Sequence, residues 1–318
     1  MVDELALHKI EARVRTGGLV ESRAAPTFED GSLDVTFARQ GFKQRATLTG
    51  DAIVLARSLA DRTASLAPKD RALAISVFAP DTDEGNRLAP LAEEIEAATI
   101  AHLSARKLVP LASAVRENAI VIQGAMFKAN EMAFGDVSAE HLLSPFRGGK
   151  ARMSVGWDSP SRASRKVEEA LNWLGMSPEP GETCVDLGAA PGGWSWVLLD
   201  KRCRVIAVDP AELRDDVRNN PKLKHEKISA FAYVPPPEGI DWLFCDMAWK
   251  PVEVARMLAK WARRNWARTL VSNVKLPMKQ KASVVREVRE VVHGGGWTHV
   301  RTRQLYHDRD EITLTAIR

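Results

Sequence analysis

The sequence predicts an α/β protein: a mostly parallel sheet with helices on both faces over residues 151–318, its last strand antiparallel, preceded by an α+β accessory domain over residues 1–150. Three observations carry this. The second half alternates short apolar runs with amphipathic helical patterns, the pattern of βαβ units around a parallel sheet. It ends in two alternating runs joined by a polar tetrapeptide, which reads as a hairpin. Composition also changes near residue 150. Residues 1–150 carry 18 Lys+Arg against 20 Asp+Glu, residues 151–318 carry 27 against 21, and all nine tryptophans fall in the second part. At 318 residues, 45% of them apolar, the chain is long enough for two ordinary domains, each with its own core.

In the first half, SLDVTFARQ (32–40) and LAISVFAP (73–80) read as strands, and GDAIVLARSLADRTASL and RLAPLAEEIEAATIAHLSARK as amphipathic helices. No internal repeat or low-complexity tract is visible. The second half opens with a helix from an N-cap at Ser161 through RASRKVEEALNWLG to a stop at Gly175. A strand TCVDL (183–187), a glycine-rich turn and a helix from about Trp194 follow, then a strand CRVIAVD (203–209). A third strand lies within KHEKISAFA and a fourth is IDWLFCD (240–246), followed by the helix PVEVARMLAKWARRNW. The fifth strand is TLVSNVK (269–275), and a helix through KASVVREVREVVH ends at Gly294, Gly295 and Gly296. WTHVRTRQLY and EITLTAIR, joined by HDRD, form the closing hairpin.

Cys184, Cys203 and Cys245 are odd in number and lack zinc spacing, so buried thiols in a reducing compartment are expected, and no metal site. The N-terminus MVDELALHKIEARV has no secretory apolar region, and no run approaches the ~18–20 apolar residues of a membrane span. A cytoplasmic protein, monomeric by default and with no membrane partner, is the expectation.

The turn after the first strand of the second half reads VDLGAAPGGWSW. A dinucleotide turn needs GxGxxG, whose middle glycine lets the backbone approach a pyrophosphate, and a phosphate loop needs GK[ST]. Neither is present: Gly188, Ala189, Ala190, Pro191, Gly192 and Gly193 suit a ligand without a diphosphate. S-adenosylmethionine (SAM), a sulfonium with an amino-acid tail and an adenosine, is such a ligand. Asp186 can meet its ammonium, Gly188 and Gly192 leave bare backbone, and Asp209 ends the next strand, where a carboxylate can accept ribose hydroxyls. Asp209, before Pro210, also reads as a turn cap. Ser229 stands where an acidic residue commonly meets the adenine amino group.

In an open α/β sheet, ligands bind outside the carboxyl ends of the strands. Asp246 and Lys275 end the fourth and fifth strands, Glu311 begins the reversed last strand, and Lys166 lies early in the first helix. Four charged residues from four elements therefore reach one edge. Alone, Lys166 reads as an i, i+3 partner of Glu169, and Asp310 competes with Glu311.

This Lys–Asp–Lys–Glu set resembles that of the FtsJ-like family of SAM-dependent RNA ribose 2′-O-methyltransferases. The stretches SRASRKVEEA, DLGAAPGGWSW, CDMAWKP, NVKLPMKQK and RQLYHDRDEITL resemble one branch, whose members modify a cytidine of 23S ribosomal RNA, over about residues 145–318. The resemblance implies a Rossmann-like methyltransferase sheet and Lys166, Asp246, Lys275 and Glu311 as the catalytic set, with Lys275 as base. It implies a SAM site made by Asp186, Gly188, Ala190, Pro191, Gly192, Gly193, Trp194, Asp209 and Asp246. It also implies an upstream THUMP-type RNA-binding region at the position of residues 1–150. The chemistry agrees: a 2′-hydroxyl attacks well only once its proton is removed, and a neutral lysine can take it. A charged lysine could instead stabilise the developing alkoxide.

Residues 250–281 hold nine Lys+Arg and one acid, Glu253. Arg256, Lys260, Arg263 and Arg264 form a basic helical stripe suited to a phosphate backbone, which Lys279, Lys281, Arg301, Arg303 and Arg309 could extend. Trp194 and Trp249 could stack on an unpaired base, although core packing competes for Trp194. Two other readings remain at this point: a SAM-dependent methyltransferase with another acceptor, and a catalytically silent RNA-binding or ribosome-assembly factor.

Overall fold

The computed structural model describes residues 1–152 and 163–318, so the expected N-cap at Ser161 lies outside the described residues. The chain divides into two compact units, Met1–Ala151 and Arg152–Arg318.

The N-terminal unit contains α1 (Val2–Leu7), a hairpin of β1 (Ala12–Thr16) and β2 (Leu19–Ser22), and a four-stranded sheet. That sheet, in order β3-β6-β5-β4, is built from β3 (Lys43–Thr49), β4 (Leu73–Phe78), β5 (Ile120–Lys128) and β6 (Glu131–Ser138). Two amphipathic helices, α2 (Ala52–Leu66) and α3 (Asp83–His102), pack their Leu55, Leu59 and Ile95 into its core. The strand expected at residues 32–40 does not form. Its backbone donors are taken by a side chain instead: Thr36 N and Phe37 N donate to the Glu4 carboxylate at 2.6 and 3.1 Å. Strands β3, β5 and β6 and the β1–β2 hairpin had not been read from the sequence.

The C-terminal unit is α4 (Ser164–Leu174), β7 (Thr183–Leu187), α5 (Gly193–Asp200), β8 (Arg204–Val208), α6 (Asp215–Arg218) and β9 (Leu223–Glu226), then β10 (Ile240–Met247), α7 (Pro251–Arg263), β11 (Ala267–Lys275), α8 (Lys281–Gly294), β12 (Thr298–Arg303) and β13 (Glu311–Ile317). Gly175 ends α4 in the left-handed region, at φ 71°. The seven-stranded sheet runs β12-β13-β11-β10-β7-β8-β9, and β13 alone is antiparallel to both its neighbours. From β7 the chain moves outward to β8, and from β10 it moves the opposite way to β11. Right-handed crossovers in opposite directions put α5 and α7 on opposite faces and leave a crevice at the carboxyl ends of β7 and β10.

Register decides what shares a face. Cys184, Asp186, Trp242, Phe244, Asp246, Val271, Asn273, Lys275, Glu311 and Thr313 are linked pairwise or by steps of two, so all lie on one face of the sheet. The lower part of that face is apolar and packs under α4 and α5 through Val167, Leu171, Trp194 and Val197. Phe244 is fully buried there, edge-on to Trp194 and stacked with Trp242. Its upper part is charged and forms the site. Because every tryptophan lies beyond residue 150, indole fluorescence reports this unit alone. Phe244→Ala should lower its unfolding free energy in urea by about 3–5 kcal/mol, the cost of an aromatic-sized core cavity; an unchanged midpoint and slope would contradict the packing described.

Candidate active site

Lys166, in the first turn of α4, places its Nζ against the Glu311 carboxylate and 3.5 Å from Asp246 Oδ2. Burial would lower its pKa, but Asp246 and Glu311, with Asp308 behind them, outweigh that and raise it. Lys166 therefore stays charged. Burial pushes Asp246 up, against the pull of Lys166, and the Glu311 charge adds to the rise. Lys275 lies directly opposite Glu311 across the antiparallel β11–β13 pair, and Leu276 N bonds Asp310 O at 2.7 Å to hold that pairing. Lys275 is exposed and has no ion pair among the described residues. The four charged residues expected together are thus brought to one edge, three in an ion cluster and the fourth beside it. The competing assignments resolve: Asp310 turns to Lys281 at 3.1 Å, and Glu169 is not the partner of Lys166.

Glu169, nearly buried one turn along α4, accepts from Tyr306 N at 2.8 Å and His307 N at 2.9 Å, and lies 2.7 Å from His307 Nδ1. Below the cluster, Asp308 Oδ2 accepts from Leu305 N at 2.9 Å and from Thr313 Oγ1 at 3.0 Å, and its Oδ1 accepts from Asn273 Nδ2 at 3.2 Å. Burial pushes Asp308 up to about 7 against these hydrogen bonds. The sequence reading missed this layer. Its only signal was a pair of acids, Glu169 and Asp308, inside otherwise recognised stretches.

The glycine turn lies beside this cluster. Gly188 has φ +79°, and a Cβ there would stand 3.0 Å from Asp246 O and 2.8 Å from Met247 Cγ. Only glycine lets the ends of β7 and β10 approach so closely. Gly192, at φ +114°, is the N-cap of α5, whose first residues are Gly193 and Trp194. Asp186 is fully buried. Ser195 Oγ donates to its Oδ2 at 2.7 Å, while Oδ1 has no hydrogen-bond partner among the described residues. A buried acceptor without a partner implies a missing donor, which the ammonium of SAM would be. Asp209 takes Ala190 N at 3.1 Å and Ala211 N at 2.8 Å. It is the turn cap, and the remaining lone pairs of its carboxylate are what ribose hydroxyls could use. Pro191 is exposed at the turn, and Ser229 is exposed beyond β9. Trp194 is buried against Phe244, so core packing takes it. The bare backbone, the orphaned carboxylate oxygen and the capped Asp209 fit SAM.

The basic residues divide. Arg256, Lys260, Arg263 and Arg264 are exposed on α7, with Lys260 5.3 Å from the Trp266 ring centre. That helix begins at the site edge but descends on the opposite face, so Arg264 lies roughly 20 Å along it from Pro251. Lys279 and Arg309 are exposed near Lys275 and Glu311 in sequence, while Lys281 is engaged by Asp310. Arg303 is a correction. The alternation of β12 turns it inward, where it is 7% exposed with its guanidinium 5.4 Å from the Trp173 ring centre, so it is no surface contact. Arg301 is half-buried. Among the described residues no helix is long and apolar enough to cross a membrane.

A seven-stranded sheet with one reversed strand, a glycine turn at the switch point and a charged edge beside it is the Rossmann-like methyltransferase architecture. The FtsJ-like methyltransferase family model matches residues 160–274. Ribosomal RNA large subunit methyltransferase M of Alkalilimnicola ehrlichii is 35% identical over 258 residues, 75% of this chain and 67% of that protein. The protein of that name from Halorhodospira halophila is 40% identical over 173 residues, 54% of this chain and 50% of that protein. Among solved structures, magnesium protoporphyrin IX methyltransferase of Synechocystis, with bound S-adenosylhomocysteine, is 16% identical with a TM-score of 0.39, covering 54% of this chain and 91% of that one. The chain belongs to the FtsJ-like ribosomal RNA large subunit methyltransferase M family. It spans between half and two thirds of the length of these relatives.

Asp186 gives a pH test of the site. Burial raises its pKa from 3.8 to about 7, so the folded chain holds a proton that the unfolded chain releases between about pH 4 and 7. Stability must therefore fall as pH rises through that window, by up to about 1.4 kcal/mol per pH unit, and level off above it. Asp186→Asn, which cannot titrate, should lack this component in urea melts from pH 4 to 8. Parallel stability curves for the two proteins would contradict the assignment.

Proposed function

We propose that this chain transfers the methyl group of SAM to a ribose 2′-hydroxyl of large-subunit (23S) ribosomal RNA, at a cytidine. The observation that carries the reading is the meeting of Lys166, Asp246 and Glu311 in one ion cluster with Lys275 across the strand pair. The names of the similar proteins supply the acceptor class.

When bound, SAM supplies a methyl group on a sulfonium, which leaves a neutral thioether behind. The chain's residues do the rest. Asp186 receives the ammonium through its unpartnered Oδ1, Gly188 and Gly192 leave backbone room, and Asp209 accepts ribose hydroxyls. The two lysines divide the work because their surroundings differ. Lys166, fixed between two carboxylates and held charged, orients the cluster and the acceptor ribose. Lys275, without an ion partner among the described residues, takes the proton of the 2′-hydroxyl as that oxygen attacks. Asp246, at the switch point between the Gly188 turn and the cluster, faces both ligands. Lys279, Arg309 and Arg256 meet the phosphates nearest the modified nucleotide, and the remaining α7 cations a more distant stretch. Residues 1–151 form the accessory unit, which in this reading supplies a further RNA-binding surface. Such a substrate places the protein in the cytoplasm.

The test is methyl transfer from labelled SAM to protein-free large-subunit ribosomal RNA, followed by digestion and mass identification of the nucleoside. The wild-type chain should yield 2′-O-methylcytidine, and Lys275→Ala should lower the rate by about 10²-fold or more. Full activity in the variant would remove Lys275 from the proton transfer. SAM binding without transfer would favour another acceptor or a silent RNA-binding factor.

A further inference from the structure

In the C-terminal unit Trp194, Trp242, Trp261 and Trp297 are each no more than 2% exposed. Trp249 and Phe231 differ, at 52% and 36% exposed. They come from separate segments, Phe231 from the stretch after β9 and Trp249 from just beyond β10, three residues past Asp246. Their ring centres are 5.7 Å apart with planes at 57°.

Isolated exposed aromatics are ordinary and need no ligand. This pair is held in place rather than loose. The Trp249 indole Nε1 donates to Glu253 Oε2 at 2.6 Å, and Trp249 N bonds Met247 O at 2.9 Å. Lys250 reaches the same Glu253 at 3.2 Å. Trp249 first, and then Lys250, hold the Glu253 carboxyl below its usual range. One carboxylate thus fixes the ring without covering it, and its charge is balanced by the lysine next to the ring. A presented aromatic surface with a fixed rotamer loses little entropy when a flat partner stacks on it.

Position and charge indicate the partner. The pair lies at the carboxyl edge of β10, the edge that carries Asp246, while Lys250 adjoins Trp249 and Lys275 ends the neighbouring strand. Exposed aromatic rings at the strand-end edge that also carries Lys275 match a nucleobase of a strand whose phosphates meet that edge's cations. A protein partner would want a broader continuous apolar area.

We infer that Trp249, with Phe231 braced against it at an angle, forms a stacking platform for an unpaired nucleobase of the RNA strand, beside the reacting ribose. The inference rests on the RNA-methylating reading above and extends it to substrate form. A base that stacks on these rings must have left its own helix, so the platform selects single-stranded or extruded nucleotides over continuous duplex.

The test measures binding, not transfer, on the full chain. The probes are a fluorescein-labelled single-stranded RNA dodecamer of mixed C and U, the same strand annealed to its complement, and SAM by calorimetry. Trp249→Ala and Phe231→Ala should each weaken single-strand binding roughly ten- to a hundredfold. Trp249→Phe, which keeps a ring but loses the Glu253 bond, should stay within a few-fold of wild type and serves as the folding control. Duplex and SAM affinities should be unchanged. Unaltered single-strand affinity in both alanine variants would overturn the platform. So would an equal loss on duplex, which would make the effect general, or a selective loss of SAM affinity, which would assign the rings to the adenine pocket. A chain that binds single strands through these rings yet methylates no ribosomal RNA would sink the functional reading and leave the platform standing.

Discussion

The antiparallel pairing of β13 against β11 is the constraint on which the rest of the charged edge depends. In an all-parallel sheet only strand ends meet the crevice, and each contributes what its last residue carries. Reversing β13 brings the start of a strand to the same edge, so Glu311 stands beside Lys275 and Lys166 has a second carboxylate besides Asp246. With β13 parallel, Glu311 would lie at the opposite edge of the sheet and Lys166 would keep one carboxylate partner. The reversal thus makes one lysine structural and charged, and leaves the other available.

The support beneath that pairing is a buried polar layer rather than more apolar packing. Asn273 and Thr313 face each other across β11 and β13, and both reach Asp308 in the loop that joins the last two strands. Glu169 clamps the same loop from α4 through Tyr306 and His307. One helix therefore sends Lys166 to the charged cluster and Glu169 to the loop behind it, one turn apart. Buried polar groups are costly when unsatisfied, so this network favours a single arrangement of α4, β11 and β13.

The two halves of the crevice divide by chemistry. On the β7 side a glycine turn, an orphaned carboxylate oxygen and a capped aspartate suit a small cationic ligand. On the β11 side the lysines and the exposed cations beyond them suit an anionic polymer. Asp246 lies between, its backbone packed against Gly188 and its side chain against Lys166. Burial and the Glu311 charge raise its pKa there, against the pull of Lys166.

Much of this was legible in the chain itself. The order of strands and helices after residue 163, the glycine turn and the four charged positions are local or periodic features, and apolar alternation reads directly as burial on a sheet. The N-terminal unit was less legible, because its strand pairings are long-range. The backbone at Thr36 and Phe37 satisfied itself on Glu4, a choice no local pattern encodes. Only the tertiary structure decided that Glu311 and not Asp310 faces Lys166, that Glu169 turns to the 306–307 backbone, that Arg303 is buried beneath α4, and that Phe231 meets Trp249. In each case the deciding contact joins residues far apart in sequence, so register and helix placement determine it where residue type alone permits several partners.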